Sequence, residues 1–298
     1  MKQFIFLFAG LAFMKTALFA QQMDVQAHRG GMGLMPENTI PAMINAVKLG
    51  ARTLELDCII TADNKVVVSH DPYMSSEFMR QPDGRDIPKA EERNFILYKM
   101  TYDSIRKYDA GTKPHPRFPQ QQKMPAYRPL LASLIDSVEA YVKQRKLKPV
   151  YYNIETKSDP AGDGVINPTP EVFVSLVMGV INDKKIAGRV TVQSFDIRTL
   201  QLIHKQFPHQ QLSLLTSGKD SFENEIKRLG FVPDVYSPFH GSVTPELVKA
   251  AHDKHVAVLP WTVDEETDIK RLSACGVDGI ISNYPDRLVN IFGSYQNK

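Results

Sequence analysis

Pro149-Val-Tyr-Tyr-Asn-Ile-Glu155 and Arg189-Val-Thr-Val-Gln-Ser-Phe195 are short apolar runs, and Gln211-Leu-Ser-Leu-Leu-Thr216 follows them. Each has strand length and β-branched or aromatic content. Residues 171–185 and 197–207, between them, carry apolar positions at helical spacing. Strands that alternate with helices predict a parallel sheet. The rhythm continues in both directions. Upstream, Leu131, Leu134, Ile135, Val138 and Val142 fall on one helical face. Downstream come a helix over 222–229, the strand Asp234-Val-Tyr-Ser237, a helix opened by Thr244 and Pro245, and the strand Val256-Ala-Val-Leu-Pro-Trp-Thr-Val263. A helix over 265–274 stops at Gly276, Asp278-Gly-Ile-Ile-Ser282 is a strand, and 286–293 is a closing helix.

The N-terminal part has the same pattern. Asp24-Val-Gln-Ala27 is a strand, 39–49 is a helix ending at Gly50, and Arg52-Thr-Leu-Glu-Leu-Asp-Cys-Ile-Ile60 is a strand. Val66-Val-Val-Ser69 returns after an Asp63-Asn64 turn as the second arm of a hairpin. Without that arm there are eight strands, which predicts a closed (β/α)8 TIM barrel, an α/β fold, over an open doubly wound sheet. Residues 72–129 break the rhythm. They are rich in Pro and charge, and read as an insertion or lid after the hairpin.

The first twenty residues have the form of an export signal. Lys2 is followed by an apolar stretch, 4–14, and Ala20 is a small residue at the cut. The apolar stretch is shorter than the roughly 20 residues a membrane helix needs. The chain is therefore expected to be exported, periplasmic or secreted, with residues 21–298 as one domain and no stable membrane insertion. The whole chain has 36 basic and 33 acidic residues; removing residues 1–20 with Lys2 and Lys15 leaves a surplus of one. So small a surplus gives no field to attract nucleic acid or an anionic membrane. Cys58 and Cys275 could pair, but Cys58 lies in an apolar strand, where a buried free thiol is equally at home.

In such barrels chemistry sits at the C-terminal ends of the strands. Those ends carry His28-Arg29, Glu55 and Asp57, His70-Asp71, Glu155 with Lys157, Gln193-Ser194, Trp261 and Ser282-Asn283. Glu55 and Asp57 are two apart, so both face the barrel interior while their leucine neighbours face the helices. Two carboxylates so placed repel unless a cation or proton lies between them. With Glu155 they form an all-oxygen set suited to Ca²⁺ or Mg²⁺. Their plain alternative is a set of acids bonded to Arg52 or Lys157. His28 and His70 can take and return protons. Arg29 and Lys157 suit an anionic oxygen. His115, His204, His209, His252 and His255 read as solvated, and His240 as a residue that could reach the rim. Phe195, Trp261 and Tyr284 are candidate pocket walls.

In chain order, Ala27-His-Arg-Gly30, Pro36-Glu-Asn-Thr39, Glu55-Leu-Asp57, Thr61-Ala-Asp63, Val68-Ser-His-Asp71 and Asn153-Ile-Glu-Thr-Lys157 are followed by three further motifs. Those are Gln193-Ser-Phe195, Trp261-Thr-Val263 and Asp278-Gly-Ile-Ile-Ser-Asn-Tyr-Pro-Asp286. The ordered set resembles the glycerophosphodiester phosphodiesterase family from residue 25 to about 290. The resemblance implies a TIM barrel with its insertion after the second histidine. Glu55, Asp57 and Glu155 match the family's metal ligands, His28 and His70 its acid/base pair, and Arg29 and Lys157 its phosphate contacts. It implies hydrolysis of deacylated phospholipids to glycerol 3-phosphate and an alcohol. Where many members have Thr-Asp before the last Pro-Asp, this chain has Ser282-Asn283-Tyr284, which is expected to alter a substrate contact and not the chemistry. Two other readings are a phospholipase D-like or phosphoinositide-cleaving barrel, and a catalytically silent binding protein of the same fold. The first should need a membrane-docking surface, of which the sequence has no sign. The second should lack a histidine or a metal carboxylate, and none is missing.

Overall fold

A computed structural model describes residues 23–297; the export signal read at 1–20 lies outside them. Strands β1 (Asp24–Ala27), β2 (Thr53–Ile60), β4 (Tyr151–Thr156), β5 (Val190–Ser194), β6 (Gln211–Thr216), β7 (Val235–Pro238), β8 (Ala257–Val258) and β9 (Gly279–Ser282) pair in parallel in the order β8-β7-β6-β5-β4-β2-β1-β9. Backbone bonds from Asp278 N to Val258 O, Ile281 N to Pro260 O and Val263 N to Ile281 O span the remaining seam between β8 and β9. The result is the (β/α)8 barrel expected. β3 (Val66–Val68) is the antiparallel hairpin arm on β2, reached through Asn64 at φ 55.

The helices close around it where the apolar spacing placed them. They are α1 (Ile40–Leu49), α3 (Leu131–Gln144), α4 (Pro170–Asp183), α5 (Ile197–Gln206), α6 (Phe222–Leu229), α7 (Pro245–His252), α8 (Glu266–Cys275) and α9 (Pro285–Phe292), with α2 (Tyr102–Ile105) inside the insertion. Thr39, Asp196, Ser221 and Thr244 cap their helices by accepting a backbone N–H. Leu54 and Leu56, on the outward side of β2, join Leu134, Ile135 and Val138 of α3 in the core between barrel and helices.

One expectation needs correction. The strand read over 256–263 is regular only at Ala257–Val258, because Pro260 has no N–H to continue a ladder; Trp261 returns to the sheet only through an isolated bridge to Phe239. The stretch 72–129 has a small core of its own. Met74, Phe78, Met79, Ile87, Leu97, Ile105 and Tyr108 pack on Ile59 and Val67. Those two residues are on the faces of β2 and β3 turned away from the main core, so the hairpin is the base on which the insertion folds. Cys58 is buried and Cys275 half-buried, and both are free thiols. Among the described residues no helix is long and apolar enough to cross a membrane.

Candidate active site

Register brings the acids together. β2 and β4 pair with Asp57 opposite Glu155 and Glu55 opposite Asn153. Alternation then turns Glu55, Asp57 and Glu155 into the barrel mouth, where oxygens of the three lie within 4.8 Å of one another and all three are buried. Beneath them the interior is amide-lined. Gln193 Nε2 donates to Glu55 Oε1 at 2.8 Å, and Gln193 Oε1 accepts from Asn153 Nδ2 at 3.0 Å. Asn153 Nδ2 also reaches Gln26 Oε1 at 2.9 Å. Asn153 and Gln193 thus hold the floor of the site.

Arg29 is placed by an unusual backbone. It sits at φ 50, ψ 32 directly after β1, followed by Gly30 at φ 81. A left-handed conformation outside glycine costs about 1–3 kcal/mol and is tolerated where surroundings fix it. Here it aims Arg29 N at Glu55 Oε2, 2.8 Å away, and puts Nε 3.5 Å from Asp57 Oδ2. A Cβ on Gly30 would lie 2.8 Å from Ala42 Cβ, so helix α1 also demands glycine there. The triplet His-Arg-Gly is therefore one turn that hands a backbone N–H and a guanidinium to the acids.

Arg29 is in turn tethered. Its Nη1 is 3.3 Å from Glu37, which also takes Arg128 Nη2 at 3.4 Å, while Arg128 Nη1 donates to the Glu37 carbonyl at 2.7 Å. Glu37 and Arg128 are both 1% exposed. Replacing Glu37 with Leu would leave buried Arg128 without its paired carboxylate and Arg29 with Asp57 alone, and is expected to cost about 3–5 kcal/mol. Urea unfolding measures this, and an unchanged midpoint would contradict it. Asn38, also at positive φ, donates to Asp57 Oδ2 at 2.8 Å. Neither the role of Glu37 nor Arg128 was legible in the sequence; Arg128 comes from the far end of the insertion, with no motif to mark it.

Electrostatics follow from this crowding. Burial, then Asp57 and Glu155, push the Glu55 carboxyl well above its ordinary range. Burial and Asp57 also raise Glu155, against the pull of Lys157, whose Nζ is 2.8 Å from Glu155 Oε1. Burial opposes ionisation of Asp57 too, but His70, Arg29 and Lys157 outweigh it and hold that carboxyl low. His28 is lowered to about 3 by desolvation and by adjoining Arg29. A divalent ion would relieve the crowding of these three acids, whose donors are all hard oxygens.

His28, Arg29, Glu55, His70, Glu155, Lys157, Gln193, Phe195 and Trp261 thus line one cleft, with Leu215, Thr262 and Ile281 at its sides. A larger cavity of about 620 Å³ opens beside it, sharing His70, Glu155, Lys157 and Phe195. Phe195 meets Trp261 edge-on at 5.4 Å and is 44% exposed. Tyr284 packs elsewhere, under the Arg287 guanidinium at 4.0 Å and against Gly33, and is not among the residues lining either cavity. His115, expected to be solvated, is 3% exposed and stacked on Phe78 at 5.2 Å inside the insertion. His240 has Nδ1 3.9 Å from Asp268, away from the cleft. Asn283 was expected to bear on substrate only; its Oδ1 is instead 2.6 Å from His28 Nδ1.

A (β/α)8 barrel with a buried carboxylate triad, two histidines and two cations at its mouth defines a hydrolase-type centre that could hold a metal ion. Comparison with known proteins narrows this. The model of the glycerophosphoryl diester phosphodiesterase family matches residues 28–287, and the chain belongs to that family. A glycerophosphodiester phosphodiesterase from Caldanaerobacter subterraneus subsp. tengcongensis is 31% identical over 269 residues, 90% of this chain and 96% of that one. A solved structure from Silicibacter pomeroyi DSS-3, assigned to the same phosphodiesterases, superposes with TM-score 0.81 at 32% identity, covering 91% of this chain and 93% of the other. An Oleispira antarctica phosphodiesterase solved with the product sn-glycerol-3-phosphate shares the fold, with TM-score 0.70 at 20% identity over 90% of this chain and 96% of that one. The chain is accordingly a phosphoric diester hydrolase acting on glycerophosphodiesters.

Proposed function

We propose that this enzyme hydrolyses glycerophosphodiesters to glycerol 3-phosphate and an alcohol, with Ca²⁺ or Mg²⁺ on Glu55, Asp57 and Glu155 and with His28 and His70 exchanging protons. The observation that carries this is charge. Glu55, Asp57 and Glu155 converge in the cleft, with burial and neighbouring acids raising Glu55 and Glu155 while Asp57 is held low. A divalent ion would offset that repulsion and leave Arg29 and Lys157 to meet a phosphodiester monoanion. Bound there, such an ion supplies charge neutralisation and polarises a phosphoryl oxygen. Arg29 and Lys157 would hold the other anionic oxygen.

In the hydrolytic step one histidine takes a proton from the nucleophile as its oxygen bonds to phosphorus. The other gives a proton to the alcohol oxygen as the second P–O bond breaks. The nucleophile is water or the neighbouring glycerol hydroxyl. The second route forms a cyclic phosphate, and its trapping separates the two. His70 is oriented by Asp71, whose Oδ1 is 2.9 Å from Nδ1.

The departing alcohol is assigned to the 620 Å³ cavity, walled by Pro72, Ile166, Phe195 and Ile197. Ile166→Ala, which lines that cavity and not the cleft, is expected to raise KM several-fold with little change in kcat, since a wall that touches only the alcohol binds ground and transition states alike. A fall in kcat at constant KM would reject that placement. We further propose export through residues 1–20, which cell fractionation of the full chain tests: enzyme retained in the cytosol would reject it. Release of glycerol 3-phosphate from a panel of glycerophosphodiesters, with and without chelator, tests the reaction itself.

A further inference from the structure

Asn283 and Asp264 form a chain that ends on His28. Asn283 directly follows β9 and is buried. Its Nδ2 donates to Asp264 Oδ2 at 2.7 Å, and its Oδ1 lies 2.6 Å from His28 Nδ1. The other carboxylate oxygen of Asp264 accepts from Asn283 N at 2.9 Å and from Ser282 Oγ at 3.1 Å. Arg287 Nη1 donates to the Asp264 carbonyl, fixing that backbone too. An ionised carboxylate only accepts, so the amide must turn its NH₂ to Asp264 and its carbonyl to His28. A carbonyl oxygen also only accepts, so Nδ1 of His28 must carry the hydrogen. A neutral imidazole has one N–H, which leaves the Nε2 lone pair bare.

We infer that Asp264 and Asn283 are positioning residues that hold neutral His28 as its Nδ1–H tautomer, making Nε2 the nitrogen that exchanges the proton. The catalytic consequence rests on the function proposed above; the tautomer does not. The arrangement has the logic of an acid–histidine pair in hydrolytic triads, with a neutral amide placed between the two. The amide fixes the ring without setting a carboxylate directly against it. The signal in sequence was the Asn283 departure itself, but Asp264 lies in no motif, and only the fold brings it to the end of β9.

The test is ¹⁵N NMR of the full chain labelled at histidine, with His28 identified by the signals missing in His28→Gln. At neutral pH the expected spectrum has a protonated Nδ1 and an unprotonated Nε2. Asn283→Leu should lose that tautomer preference and lower kcat by at least about tenfold, with KM little changed. The exchange Asp264→Asn with Asn283→Asp keeps every donor facing an acceptor, and should restore both tautomer and turnover. A wild-type His28 protonated at Nε2 would overturn the inference, whether or not Asn283→Leu or the exchange variant folds. So would Asn283→Leu with native tautomer and native kcat, or an exchange variant that folds but stays as impaired as Asn283→Leu. The expected tautomer in a protein that cleaves no glycerophosphodiester would reject the proposed function and leave this placement standing.

Discussion

Glu155→Gln is expected to lower kcat by at least about a hundredfold, the scale of losing a main charge-stabilising group, while leaving the metal-free protein as stable as before or more so. The two effects have opposite signs for one reason. Without an ion, Glu155 is a buried acid beside Asp57 and Glu55, and burial and Asp57 drive its carboxyl upward. Removing that acid relieves repulsion. Glutamine keeps the size and still offers Oε1 to Lys157 Nζ, now 2.8 Å away. With Ca²⁺ or Mg²⁺ added the order should reverse. A ligand at a hundred times its Kd stabilises the folded state by about 2.7 kcal/mol, so the wild type should gain thermal stability on ion addition and Glu155→Gln should gain much less. Thermal melts in chelator and in added ion check this. A variant that melts lower than wild type in chelator, or gains as much from the ion, would contradict the metal role of Glu155.

His28→Ala and His70→Ala are each expected to lower kcat by at least about a hundredfold, the usual scale of acid/base removal. The two histidines reach the cleft by different routes. His28 directly follows β1 and is held through Asn283; His70 lies two residues past the hairpin arm and is held by Asp71. A purely structural histidine at either place would show its loss in folding, not in turnover. Steady-state kinetics on folded variants decide between them, and near-normal kcat in either would remove that residue from the proton-transfer pair.

Most of the frame was readable because it rests on local periodicity. Leu131, Leu134, Ile135, Val138 and Val142 are the buried face of α3 as their spacing required. Glu55 and Asp57 share a face because alternation in a strand leaves no choice. Legibility stopped where tertiary contact decides. Pro260 cut β8 short despite a run of apolar residues around it. His115 looked solvated because its neighbours in sequence are polar and Pro-rich, yet Phe78 and Phe118 reach it from elsewhere in the insertion. Arg128 anchors Glu37 across 91 residues, and Asp264 supports His28 only through Asn283. Such partners have no periodicity to betray them. The residues proposed to touch the reaction were visible in the sequence, while several that hold them still were not.

The most direct test is a coupled assay for glycerol 3-phosphate released by the wild-type enzyme from glycerophosphodiesters differing in their alcohol. It is run in chelator, then after adding back Ca²⁺ or Mg²⁺. The geometry of Glu55, Asp57 and Glu155 predicts release that chelator abolishes and one of these ions restores. Equal release with and without chelator would contradict the metal centre, and no release from any substrate in the panel would contradict the reaction.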